Sequence, residues 1–169
     1  MGYQVYPAPA AGSKTMFRTT LTSGTSYTVP AGVTYLNVTL IGAGGGGTGG
    51  LFTNSVPVLP QHGLGGQIIH STLSVTAGQS IAYAIGAGGT GNGQSNDGGA
   101  GGTTTFTGAT SASGGGGANR ITYSTNYGTT GSSGLVSSNY GNSQVSASNS
   151  VTGFGGNGGA GCIIIEYWA

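Results

Sequence analysis

Two β-like segments of this chain each run directly into a series of glycines, and this pattern limits what the chain can fold into. Residues 36–41 (Leu-Asn-Val-Thr-Leu-Ile) are followed by Gly-Ala-Gly-Gly-Gly-Gly, and residues 81–85 (Ile-Ala-Tyr-Ala-Ile) by Gly-Ala-Gly-Gly. Glycine loses more backbone freedom on folding than any other residue, and the chain has 39 glycines in 169 residues. The chain therefore either stays disordered or recovers this cost through dense packing of its backbone.

The composition favours a folded chain and excludes several classes of protein. Charged residues make up 3% of the chain, whereas disordered segments combine low hydrophobicity with high charge. The three basic residues lie far apart, so no nucleic-acid partner is expected. No apolar stretch is long enough to span a bilayer, so no membrane insertion is expected, and no secretory signal is visible at the start of the chain. Cys162 is the single cysteine, which excludes an intrachain disulfide and a cysteine-based metal cluster.

Alternating residues predict an all-β fold, a small antiparallel β-sandwich-like domain with glycine-rich segments. Leu36, Val38 and Leu40 alternate with polar residues, as expected for a strand buried on one face. No window supports a helix, because Gly, Ser, Thr and Asn recur too often for an apolar helical stripe. The predicted strands are 14–21, 25–29, 35–41, 67–75, 80–85, 103–106, 110–113 and 162–167.

The domain organisation follows from the same pattern. Residues 1–13 are rich in Pro, Ala and Gly and show no periodicity, so they are predicted to form an extended N-terminal attachment arm. Residues 14–169 then form a single glycine-rich β domain.

Glycine-rich segments connect the predicted strands, at 42–50, 86–102, 114–117 and 153–161. A glycine run can adopt an extended helix with three residues per turn, whose N–H and C=O groups point outward. Neighbouring runs can then hydrogen-bond to one another, and only glycine allows several of them to pack closely. The hypothesis is therefore a set of packed polyglycine II helices, and the alternative is a set of loose glycine loops.

The sequence predicts no catalytic, cofactor or metal site, and hence no enzyme. Residues 42–47 match the glycine spacing of a dinucleotide-binding loop, but no helix is predicted to follow them and no acidic residue occurs before Asp97. The only two carboxylates, Asp97 and Glu166, are far apart in sequence, which disfavours a glycoside hydrolase.

A long polar segment, 118–152, is the first candidate for a binding surface. It is rich in Ser, Thr, Asn and Tyr, the residue types of adaptable binding loops, in which a tyrosine ring offers a large contact area at little entropic cost. The alternative is a solvated loop. His62, beside Pro60 and Gly63, is a second candidate for a binding-loop residue.

Three sequence blocks occur in order along most of the chain. Residues 29–47 include Val-Pro-Ala-Gly-Val-Thr and Asn-Val-Thr-Leu-Ile-Gly-Ala-Gly-Gly-Gly-Gly, and residues 74–80 (Ser-Val-Thr-Ala-Gly-Gln-Ser) lead into Ile-Gly-Ala-Gly-Gly at 85–89. The third block, 155–167, reads Gly-Gly-Asn-Gly-Gly-Ala-Gly-Cys-Ile-Ile-Ile-Glu-Tyr. In these blocks the chain resembles the glycine-rich domain of tail-fibre and adhesin proteins of tailed bacteriophages.

The resemblance implies a structural protein at the virion surface that binds the host cell through the loops between glycine runs, here 51–64 and 118–152. The implied partners are other virion proteins of the fibre, tail or capsid, and a host surface polysaccharide or outer-membrane protein. The alternative is a decoration protein that stabilises the capsid or tail. A homotrimer is expected, because closed cyclic assemblies bury sheet edges. The receptor-binding candidates are His62, Asn119, Arg120, Tyr123, Tyr127 and Tyr140.

Overall fold

Strands and glycine segments alternate along the chain. The computed structural model describes residues 14–49, 51–52, 57–58, 61–93, 96–119 and 155–169. These residues contain no α-helix, and none of them belongs to a helix able to span a membrane. Their strands are β1 (Met16–Leu21), β2 (Ser26–Thr28), β3 (Tyr35–Ile41), β4 (Leu51–Phe52), β5 (Pro57–Val58), β6 (Ile68–Ser74), β7 (Ser80–Ala84), β8 (Thr105–Phe106) and β9 (Cys162–Trp168).

The strands form two main antiparallel sheets, which confirms the predicted all-β class. One sheet has four strands in the order β1-β9-β3-β6, and the other has three in the order β2-β7-β8. Among the strands that the structure describes, β4 and β5 pair only with each other. The central strands β3 and β9 come from the segments richest in Ile, Leu and Val, which suit a pleated surface packed against a core.

A hydrophobic cluster joins the two sheets. From the four-stranded sheet, Leu36, Val38 and Leu40 of β3 are buried, as the alternation predicts, and they belong to the same cluster as Ile163 and Ile165 of β9. The three-stranded sheet contributes Ile81, Tyr83 and Phe106. The opposite face of the four-stranded sheet therefore points away from this core.

Some predicted strands differ from the observed ones. Residues 110–113 were predicted to form a strand, but only Ala112 makes an isolated bridge, to Thr104, because the chain passes directly into a glycine segment at Gly114. The two-residue strands β4 and β5 lie in 51–64, which was predicted to be a loop. The predicted arm, residues 1–13, lies outside the described residues.

The two ends of the described chain lie side by side. Strands β1 and β9 are antiparallel, and beyond them the backbones of Thr15 and Ala169 exchange two hydrogen bonds of 3.0 and 3.1 Å. Cys162, at the other end of β9, directly follows a glycine segment. We call the end of the sheet at Thr15 and Ala169 the base, because the glycine segments extend from the opposite end.

Cys162 is expected to be unreactive while the domain is folded. Its side chain is fully buried, and burial raises the pKa of its thiol. Since the thiolate is the reactive form, less of it exists at a given pH than in an exposed cysteine. At about pH 8, a disulfide-exchange reagent should react slowly with the native protein and fully in denaturant. Equal rates in the two conditions would contradict this expectation.

Candidate functional site

The glycine segment that follows β3 is the centre of a bundle. All residues of this central segment, 42–49, are buried. The N–H groups of positions 42–48 point in turn to three neighbours: positions 42, 45 and 48 donate to segment 61–67, positions 43 and 46 to segment 98–102, and positions 44 and 47 to segment 155–161. The central segment therefore donates a hydrogen bond to each of these neighbours at every third residue, which is the repeat of an extended helix with three residues per turn.

The carbonyl groups of the central segment contact two further neighbours. Ala43 and Gly46 accept hydrogen bonds from segment 113–118, and Gly44 and Gly47 accept from segment 86–93, at 2.8 to 3.0 Å. Five segments thus surround the central one among the described residues. This arrangement is that of packed polyglycine II helices, and the alternative of loose glycine loops does not describe these residues.

The surrounding segments also bond to each other in a regular order. Segment 61–67 donates to 113–118, 98–102 donates to both 113–118 and 86–93, and 155–161 donates to 86–93. Within each of these pairs the chains run in opposite directions. Residues 86–102 were predicted to be one glycine segment, but their described residues form two antiparallel ones, 86–93 and 98–102. Part of the predicted loop 51–64 belongs to segment 61–67.

The close approach of these backbones explains the need for glycine. A Cβ atom at Gly46 would lie 2.0 Å from the carbonyl oxygen of Thr90, and one at Gly45 would lie 2.0 Å from that of Gly116. Real Cβ atoms essentially never come within 3.0 Å of a heavy atom outside their own residue and its two chain neighbours. Backbone hydrogen bonds therefore hold the bundle together where side chains cannot fit.

The bundle has two distinct ends. At one end the segments continue into the sheets, as at Ile41 of β3, Ile68 of β6 and Cys162 of β9. We call the other end the tip. There the chain leaves the bundle after positions 49, 93 and 118 and returns at positions 61, 98 and 155. All three of these connections, of which the one between 93 and 98 is short, therefore begin and end at the tip.

Polar side chains close the bundle at the tip. Thr48 is fully buried, and its Oγ1 accepts a 3.0 Å hydrogen bond from the N–H of Gln61. The carbonyl of Asn92 accepts from both Gly49 and Gly155, and its side-chain Nδ2 donates to the carbonyl of Asp97. On an adjacent segment, the side-chain oxygen of Asn157 accepts from the N–H of Gly91 at 2.7 Å. None of these side chains was predicted from the sequence, although each is a polar residue that interrupts a glycine run.

Comparison with known protein families gives one assignment. A family model described as a glycine-rich domain matches residues 19–161. The chain belongs to this glycine-rich domain family. The match includes every segment of the bundle that the structure describes. A comparison with curated proteins gave no match.

Within this glycine-rich domain, the tip holds the two predicted binding residues that the structure describes. His62 is exposed, and its Nδ1 lies 3.3 Å from the carbonyl oxygen of Gly63. Asn119 is also exposed and directly follows segment 113–118. Because the N–H of Leu64 donates to Gly116 and the two segments are antiparallel, both residues lie at the tip. The remaining candidates lie outside the described residues: Arg120, Tyr123, Tyr127 and Tyr140.

Proposed function

We propose that this glycine-rich domain is a non-enzymatic structural protein of a bacteriophage virion that binds the host cell surface with its tip. The observation that carries the proposal is that the domain has two different ends: Thr15 and Ala169 pair at the base, whereas all three connections of the bundle begin and end at the tip. A domain whose two ends differ in this way can be attached at one end and present variable loops at the other. The phage context comes from the resemblance to tail-fibre and adhesin proteins.

The bundle suits a rigid spacer between attachment and recognition. Eight residues of the central segment at about 3.1 Å each span about 25 Å. Backbone hydrogen bonds in several directions make each segment depend on its neighbours and not on side-chain packing. Insertions or substitutions in the connections at the tip would therefore leave the bundle unchanged, as a recognition surface requires.

The positions of the carboxylates support a role without catalysis of sugar cleavage. Glu166 lies in β9, on the sheet, whereas Asp97 lies at the tip, so roughly 20 Å of bundle separates them. The two carboxyl groups of a typical glycoside hydrolase are about 5 to 10 Å apart. The proposed activity is therefore binding, to a host surface polysaccharide or an outer-membrane protein.

The tyrosines of the longest connection provide the first test. Replacing Tyr123, Tyr127 and Tyr140 together by Ala should weaken binding of the purified domain to host cells about tenfold or more, because aromatic anchors dominate binding surfaces. The unfolding midpoint in urea should stay the same. The measurement is a cell-binding titration with fluorescently labelled protein.

Two control variants make this test specific. Replacing the same tyrosines by Phe keeps the ring contacts and should retain most of the binding. Phe17→Ala removes an aromatic ring that is 43% exposed at the base and should leave binding unchanged. Unchanged binding of the triple Ala variant, or an equal loss in Phe17→Ala, would contradict the proposal.

The place of the protein on the particle separates the adhesin from a decoration protein. Immunogold labelling of intact virions should place the domain at the fibre ends. We further propose that the domain is a homotrimer and that other virion proteins contact its base. Among the described strands, β1 is an edge of the four-stranded sheet and has an unpaired side that such an assembly would cover. Label spread over the head would overturn the adhesin proposal in favour of decoration.

A further inference from the structure

The outer face of the four-stranded sheet carries a shallow groove that lies outside the bundle. The groove has a volume of about 270 Å³ and is lined by Asn37, Val38, Thr39, His70, Ser71, Thr72 and Glu166. The register of the strands places Arg18, Glu166, Asn37 and Thr72 in one row across all four strands. Thr39 and His70 form part of the next row. Polar residues from four strands therefore meet on one surface.

Two hydrogen bonds and one ion pair connect these polar side chains. Thr72 Oγ1 donates to Asn37 Oδ1 at 2.8 Å, and Thr39 Oγ1 lies 2.9 Å from His70 Nδ1. Arg18 Nε lies 3.6 Å from Glu166 Oε1. These contacts leave the Asn37 Nδ2 donor, the second oxygen of Glu166 and the Nε2 atom of His70 to face the groove or solvent. The groove thus offers both donors and acceptors.

Two exposed aromatic side chains lie on the same face of the sheet, just beyond the residues that line one end of the groove. Tyr35 is 62% exposed and lies two residues before Asn37, and Trp168 is 46% exposed and lies two residues after Glu166. Side chains two residues apart in a strand are on the same face. Because Asn37 and Glu166 are direct antiparallel partners, both rings lie at the same end of the groove.

The chemistry of this surface selects for a small ring that is polar at its edge and apolar on its face. A phosphate or other anion would need a cluster of cations, whereas Arg18 is paired with Glu166. A purely apolar ligand would leave the amide and carboxylate without partners. The volume is also slightly below that of pockets for drug-sized ligands, which begin at about 300 Å³.

We propose that this groove binds a neutral pyranose sugar. The C–H face of the ring packs against Tyr35 or Trp168, and its hydroxyl groups hydrogen-bond to Asn37, Glu166 and His70. Sugar hydroxyls act as both donors and acceptors, which matches the mixed set of side chains. This site lies on the sheet and is independent of the host-binding function proposed for the tip.

The single tryptophan of the chain makes a direct test possible. The emission of Trp168 is measured during titration of the full chain with the methyl glycosides of glucose, galactose, mannose and N-acetylglucosamine, up to about 100 mM. We expect a saturable change with at least one of them. No saturable change with any of the four would overturn the proposal.

Variants in the groove separate binding from a solvent effect on the fluorescence. Asn37→Ala should weaken the binding of the responding sugar about tenfold, the value of one or two hydrogen bonds, and Glu166→Gln should weaken it without changing the shape of the groove. Asn119→Ala, an exposed asparagine at the tip, serves as the matched control and should leave the titration unchanged. An unaltered titration in both groove variants, each with a normal unfolding midpoint, would overturn the proposal.

The same variants distinguish this site from the tip. Asn37→Ala and Glu166→Gln should bind host cells like the unmodified protein, whereas the triple tyrosine variant should keep its response to the sugar. Failure of the tip proposal would therefore leave the sugar titration intact, and failure of the sugar proposal would leave cell binding intact.

Discussion

Replacing Gly46 by Ala should destabilise the domain by about 3 kcal/mol or more. The new Cβ atom would lie 2.0 Å from the carbonyl oxygen of Thr90 and 2.3 Å from its carbonyl carbon. Neither atom can move aside easily, because the carbonyl of Thr90 accepts a 2.8 Å hydrogen bond from Gly99. Gly46 itself is bonded on two sides, to Gly99 and Ala118. The substitution should therefore push apart several segments at once, and urea unfolding would measure the loss.

Gly116→Ala is the matched control within the same bundle. Gly116 is exposed, and a Cβ atom there would meet only Leu64 Cδ1, at the ordinary contact distance of 3.7 Å. Since Ala has less freedom than Gly in the unfolded chain, the variant should be as stable as the original or up to about 1 kcal/mol more stable. Similar losses in the two variants would show that local flexibility, and not close backbone packing, determines the effect.

Replacing Thr104 by Val should cost about 2 kcal/mol of unfolding free energy. Thr104 is fully buried where the sheets meet the bundle. Its Oγ1 donates to the carbonyl of Ile41 at 2.8 Å and accepts the N–H of Gly86 at 3.1 Å. Valine fills the same space but removes both hydrogen bonds, so the buried N–H of Gly86 loses its acceptor. This loss should also loosen the start of segment 86–93, which hydrogen exchange of the Gly86 amide would detect.

The same substitution at Thr107 provides the comparison. The exposed Thr107 donates its hydroxyl to the carbonyl of Ala82 at 3.0 Å, but that carbonyl also accepts the backbone N–H of Thr107. Thr107→Val therefore leaves no buried group without a partner, and its effect should stay within about 0.5 kcal/mol. If Thr104→Val were equally mild, the two hydrogen bonds of the Thr104 hydroxyl would not contribute measurably to the stability of the domain.

The strands were more predictable than the glycine segments. In β3, the alternation of Leu36, Val38 and Leu40 with polar residues predicts the buried face, and the structure confirms it. Segment 61–67 was missed because it contains His62 and Leu64 between its glycines. In a helix with three residues per turn, only positions that face a neighbouring backbone need glycine. Leu64 is 45% exposed, so its side chain occupies space outside the bundle.

The candidate sites were only partly predictable for a related reason. His62 and Asn119 were selected from the residue types around them, and their common position at the tip depends on the pairing of Leu64 with Gly116. The sugar-binding groove was not predicted, although Asn37 and Glu166 lie in predicted strands. Their proximity depends on the pairing of β3 with β9, which are more than one hundred residues apart in sequence.

The sequence by itself determined the all-β class and the buried face of β3, and it left two alternatives for the glycine runs, packed polyglycine II helices or loose loops. Only the tertiary structure decided which glycine segment lies at the centre, the order of those around it, and which residues share the tip or the groove. The physical reason is that the bundle is held by hydrogen bonds between backbones, which are chemically the same in every glycine segment. Side-chain patterns can select a face of a strand, but they cannot select one glycine run as the partner of another.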